Sequence, residues 1–185
     1  MIDNCLVQKV HRKFQSSMTE HYRSHLDGTN INKTSMLTTD YLNHFSGVLM
    51  LLEMLPTDPE GLSDEVLSWQ PMSYEKHFEV TGFPERELAV KAYEHAPTNV
   101  REAFDEVIDE MNDRFVAVLE DVRFAVREKR PEELAQFCQD VTPQMHELIS
   151  QAATIVNEGI TNVVDINARE GGQKDTQEEI DALFV

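Results

Sequence analysis

The chain has 185 residues, 41% of them hydrophobic, enough for one domain of ordinary size with a small appendage. Its 34 acidic residues against 16 basic give a formal charge of -18, a field that repels phosphate backbones and argues against nucleic-acid binding. No stretch approaches the ~20 apolar residues of a membrane span, and Met1-Ile2-Asp3-Asn4 lacks the basic-then-apolar layout of a signal peptide, so a cytoplasmic location and no membrane partner are expected.

The first element is a helix over residues 4–26, with Leu6, Val10, Phe14, Met18, Tyr22 and Leu26 at every fourth position and Gly28 as its stop. Such a stripe is expected to pack against another element. After a polar link from Thr29 to Ser35, the residues Thr38, Thr39 and Asp40 offer N-caps for a second helix. Tyr41, Leu42, Phe45, Val48, Leu49, Leu51, Leu52, Met54 and Leu55 leave it little polar face, so it should be the most buried element, ending before Pro56. Three short helices follow, at Ser63 to Trp69, Ser73 to Val80 and Pro84 to His95, each opened by a cap residue or a proline.

Two long helices come next, split by Lys129, Arg130 and Pro131. The first presents Val100, Phe104, Val107, Met111, Phe115, Val118, Val122 and Val126 at alternating spacings of three and four. The second answers with Leu134, Cys138, Val141, Met145, Leu148, Ala152 and Ile155, so the pair reads as an antiparallel hairpin over about residues 97–158. No strand-period alternation competes, and the fold class is all-α: a helical bundle over residues 1–160. The hairpin seam can pair with a second copy as a homodimer, or fold on the chain's own second helix.

Residues 161–175 read as a flexible linker, with Asn167 to Lys174 the most polar part. Beyond it, residues 176–185 form an amphipathic peptide. Thr176 and Glu179 fit a capping box, in which the hydroxyl and the carboxylate each satisfy a free backbone N–H at a helix start. Ile180, Leu183 and Phe184 then share one apolar edge, while Glu178, Glu179 and Asp181 stay on polar faces. A segment this short does not hold a helix alone in water, and gains order in a partner's groove or by packing back on its own bundle.

Thr176 to Phe184 resembles the peptide with which the flagellar switch protein FliM, and more loosely the tail of the chemotaxis phosphatase CheZ, bind the response regulator CheY. The resemblance implies a CheY-like response regulator as partner, with Ile180, Leu183 and Phe184 as contacts and Glu179 and Asp181 flanking them. Upstream, Asp140-Val141-Thr142-Pro143-Gln144 resembles the Asp-x-Thr-x-Gln signature of the CheZ family, with Gln139 also in place. The resemblance implies that Gln144 orients a water against the receiver's phosphoaspartate and that Asp140 helps to hold the receiver and its lysine. No cofactor of the chain's own is then needed, because the Mg²⁺ belongs to the partner receiver.

The residues carry part of this without the family. Asp140 and Gln144 are four apart, on one face of a helix beside the Val141–Met145–Leu148 seam. An amide can both donate to and accept from a water. Pro143 stands where the family has Gly, and Thr142-Pro143 also reads as a helix start, which would put Asp140 and Gln144 on different segments. Residues 1–96 carry no likeness to CheZ.

Two other readings compete. One is a non-enzymatic adaptor or phosphate-signal sink that binds a receiver. The other is a metal-binding helical bundle, suggested by His21 and His25 and by Asp40 and His44 at spacings of four, though the Glu-x-x-His pairs of diiron bundles are absent. Cys5 and Cys138 make no metal motif and read as structural thiols.

Overall fold

The structure, a computed structural model, describes the backbone of residues 4–159 and the side chains of residues 13–159. Among the described residues it is all helical: α1 (Asn4–Arg23), α2 (Asn43–Met54), α3 (Pro59–Leu67), α4 (Tyr74–Val80), α5 (Arg86–Glu94), α6 (Thr98–Arg127) and α7 (Pro131–Glu158). A 3-10 turn at Thr39–Leu42 leads into α2. The linker and peptide expected over residues 161–185 lie outside the described residues.

The hairpin stands as the periodicity predicts. At 1.5 Å per residue, α6 is about 45 Å long. It turns at Lys129, whose φ of 54° is the left-handed conformation that closes a helix, and Arg130 N donates to Ala125 O at 2.9 Å. Pro131 then starts α7, at a position where its missing N–H has no helical partner to lose. Phe104, Met111, Phe115 and Val122 of α6 and Cys138, Met145 and Ala152 of α7 are buried in the seam.

That seam is closed by the chain itself. α2 packs on α7, and α3 packs on α6. Tyr41, Phe45, Phe78, Phe104 and Phe115 are all under 2% exposed, and Phe115 has Phe45 stacked on it at 6.0 Å and Trp69 tilted against it at 5.0 Å between centroids. Truncating Phe115 to Ala would cost about 3–5 kcal/mol. Because this core takes up the apolar edge of the hairpin, a second copy would have to use another face.

The α2 region departs from expectation in one respect. Phe45, Val48, Leu49 and Leu52 are buried, but Met50 and Met54 are 55% and 49% exposed, since among the described residues no element covers that side of the helix. Thr38 caps the preceding turn through Asp40 N at 3.3 Å, as the sequence suggests. α3 starts earlier than the sequence reading has it: Asp58 accepts from Gly61 N at 3.0 Å and Pro59 opens the helix, a stronger start than Ser63. α4 opens behind Ser73, whose hydroxyl accepts from Lys76 N at 3.2 Å, and α5 is shorter at both ends than Pro84 to His95.

α1 is the other departure. It ends at Arg23, three residues before Leu26, which drops into the core from the following turn. Its stripe does not pack throughout: Tyr22 stacks on His95 at 4.8 Å, Met18 is half-buried, and Phe14 is 61% exposed. The loop after α1 clamps the far end of α7. Ser35 Oγ donates to Val156 O at 2.6 Å and Asn32 Nδ2 to Asn157 O at 2.9 Å.

Candidate functional site

α7 runs unbroken through Pro143, so the helix start that Thr142-Pro143 offers is not used. Proline has no N–H for the carbonyl four residues back, here Gln139. Gln139 and Pro143 are both exposed, which lets water take that carbonyl, while Thr142 Oγ1 donates to Cys138 O at 2.8 Å beside the gap. Packing on α6 and α2 holds the two halves in line. Val141 and Met145 face the seam, and Asp140 and Gln144 are exposed one turn apart on the outer side.

Both groups already have partners. The Asp140 carboxylate accepts from Gln136 Nε2 at 2.7 Å, one turn earlier. Gln144 Nε2 donates to the Asp140 carbonyl at 2.9 Å, and its Oε1 accepts from Arg114 Nη1 across the hairpin. Arg114 is in turn held by Glu110, with Nε and Nη2 at 3.1 and 2.6 Å from Oε1. One N–H and one lone pair of the amide are not used by these two bonds, so it can still hold a water beside them. Such exposed bonds are worth about 1 kcal/mol each, so exchanging either is also cheap.

Gln136, Arg114 and Glu110 were not singled out from the sequence. Gln136 and Glu110 could have been found by their spacing of four from Asp140 and Arg114. The meeting of Arg114 with Gln144 follows from the register of the hairpin, which spacing within one helix does not reveal. The partner-binding residues Glu179, Ile180, Asp181, Leu183 and Phe184 lie outside the described residues.

A second concave region, a cleft of about 420 Å³, lies between α4, α6 and the end of α5. Glu75, Asp105 and Asp109 bring three carboxylates to it, and Tyr93 Oη donates to Asp105 Oδ1 at 2.9 Å. Burial raises the Asp105 carboxyl above the usual carboxylate range, an effect opposed by the Tyr93 hydrogen bond and the nearby Arg101 and reinforced by Asp109 and Glu75. Asn112, at the same cleft, has a buried Oδ1 without a hydrogen-bond partner. Sequence reading missed this cleft, because spacing within one helix does not show how α4, α5 and α6 turn back on one another.

The histidines expected as metal candidates have other roles. His25 Nδ1 lies 2.8 Å from His21 O, and His44 Nε2 lies 3.0 Å from Gln70 O. Asp40 accepts from Thr38 Oγ1 at 2.9 Å. Among the described residues no three His, Cys, Asp or Glu side chains converge as metal ligands would. Cys138 is buried, which pushes its thiol up to about 11 and leaves it inert at neutral pH. Among the described residues no helix is long and apolar enough to cross a membrane.

No protein-family model, no curated protein and no solved structure matches the chain. Fold and site together define an all-α protein with an exposed Asp–Gln pair midway along a long helical hairpin.

Proposed function

We propose that this chain is a chemotaxis or motility signalling protein that captures a CheY-like response regulator through residues 176–184 and speeds the loss of its phosphate, with Gln144 orienting the attacking water and Asp140 holding the receiver. The single observation that supports it most is the continuity of α7 through Pro143, which keeps Asp140 and Gln144 on one exposed face. A group that only positions water needs no nucleophile or metal of its own. The phosphoryl group and its Mg²⁺ come with the receiver.

A second reading, a binding-only adaptor, is favoured by a specific observation: the Gln144 amide is occupied at both ends, by Arg114 and by the Asp140 carbonyl. Following phosphate loss from a phosphorylated CheY-like receiver separates the two. The wild-type chain is expected to accelerate the loss, and Gln144→Ala to return it to the receiver's own rate. Acceleration that survives in Gln144→Ala, or none in the wild type, ends the catalytic reading. Binding is expected to vanish in a chain ending at Lys174 and to weaken roughly 30-fold in Phe184→Ala, the ~2 kcal/mol typical of a lost aromatic anchor. Equal affinity in all three would remove the peptide from the account.

A further inference from the structure

The acidic cleft between α4, α6 and the end of α5 takes no part in the proposed reaction. Asn112, which lines it, precedes Arg114 by two residues on α6, a step that turns the two toward opposite sides of that helix. The walls of the cleft are aromatic. Tyr74 stacks on Tyr93 at 4.5 Å between centroids, and Tyr41 lies tilted against Tyr74 at 5.1 Å. The hydroxyls of these rings are already engaged: Tyr41 Oη donates to Met72 O at 2.5 Å, Tyr93 Oη donates to Asp105 Oδ1, and Tyr74 Oη accepts from Thr38 N at 3.1 Å.

What the cleft leaves over is a set of acceptors. Among the described residues neither the Glu75 nor the Asp109 carboxylate has a hydrogen bond or an ion pair. Asn112 Oδ1 is buried and without a hydrogen-bond partner, a state that folded proteins rarely leave uncorrected. A donor brought in by a ligand satisfies it. Arg101 acts on Asp105 from nearby, but among the described residues it forms no ion pair with it: Nη1 donates to Glu94 O at 3.0 Å, and the guanidinium lies over the Tyr93 ring at 5.9 Å. Burial disfavours the charged form of Asp105, and a cation in the cleft offsets that penalty.

The kind of cation follows from how the acceptors are spread. Among the described residues no three His, Cys, Asp or Glu side chains converge on one point, so a compact divalent ion finds no ready cage of oxygens. A cleft of about 420 Å³ has room for an extended molecule whose charges are spread as the carboxylates are. We propose that this cleft binds a small linear polyamine, its ammonium groups donating to Glu75, Asp105 and Asp109 and one of them reaching Asn112 Oδ1. The alkyl segments between the ammonium groups lie along the tyrosine rings. Such a ligand bridges α4 and α6 and stabilises the fold by mass action. The site does not rest on the receiver reading.

Calorimetry of the full chain with spermidine as the probe tests it, at about 0.15 M salt so that loose attraction to a chain of charge -18 is screened. One spermidine per chain is expected, with a Tm that rises with spermidine concentration. Asp109 is exposed, so Asp109→Asn does not threaten the fold; it is expected to weaken binding about tenfold, through the loss of one charge-assisted hydrogen bond. Asn112→Leu is expected to weaken it as well, and Asp121→Asn, toward the hairpin turn, to leave it unchanged. Absence of binding at one per chain overturns the proposal, and so does affinity that either Asp109→Asn or Asn112→Leu leaves intact. An equal loss in Asp121→Asn, or displacement by Mg²⁺ at the same concentration, also overturns it and assigns the amine to the counterions of an acidic surface. No receiver is present, so a failure here is distinct from a failure of the proposed function.

Discussion

Arg114 and Gln144 meet across the α6–α7 seam, the guanidinium donating through Nη1 to the amide oxygen while Glu110, one turn earlier, fixes that guanidinium. The contact covers the acceptor of the group proposed to orient a water. It lies in the open, with the Arg114 side chain 40% exposed, so it contributes little to stability.

Arg114→Ala is therefore expected to change the unfolding free energy by less than about 1 kcal/mol in urea titration. It is also expected to raise Gln144-dependent phosphate loss from a receiver, since the amide is released. A fall in that rate would mean that Arg114 aids the reaction instead of masking its amide.

Pro143 offers a test of stability alone. It is exposed within α7 and deprives the Gln139 carbonyl of its helical donor, and its ring crowds the same carbonyl. Pro143→Ala restores the bond and leaves no cavity. The gain is expected to approach ~3 kcal/mol, read as a higher urea midpoint at unchanged m.

Acid should weaken the fold through His44 and His77. Burial lowers both; the Gln70 carbonyl opposes the shift at His44 and the His77 charge, at a ring-centroid distance of 6.3 Å, adds to it, while Asp40 opposes the shift at His77. Their folded values lie below the unfolded value of about 6.5, so the unfolded chain binds more protons as pH falls through that value, and stability falls with it. His44→Gln keeps a donor for Gln70 O and is expected to reduce the drop in Tm between about pH 7.5 and about pH 5.5. An unchanged drop would show that His44 does not contribute.

Asp105 has the opposite sign. Its folded carboxyl sits above the unfolded value, so the charged form is disfavoured in the fold at neutral pH, and the penalty is relieved as pH falls through the folded value. Asp105→Asn keeps an acceptor for Tyr93 Oη and removes the charge that faces Asp109 and Glu75. Its Tm is expected to exceed the wild type's at neutral pH and to match it near pH 3, measured by thermal unfolding at both.

The all-α class, the hairpin and both of its seams were legible in the sequence, because a 3.6-residue period marks one side of each helix whatever the rest of the chain does. The Asp140–Gln144 pairing was legible only on condition that both lie on a single helix, where they are one turn apart. Pro143 was not: its local signals allow either a new helix or an interrupted one, and the choice falls to packing on both sides of it. The start of α3 was misplaced because Asp58-Pro59, a stronger cap than Ser63, precedes its apolar residues and was passed over.

Periodicity fixes which way each side chain points from its own axis, and so the sequence by itself determined that the chain is helical and which face of each helix is apolar; that Asp140 and Gln144 share a side followed only once α7 ran on through Pro143. Burial and partnership depend on which other helix occupies that side. Only the tertiary structure could decide that Met50, Met54 and Phe14 stay outside, that Arg114 takes the Gln144 oxygen, and that Glu75 comes to the same cleft as Asp105 and Asp109. The last two bring together residues some thirty apart along the chain, and no short-range spacing records them.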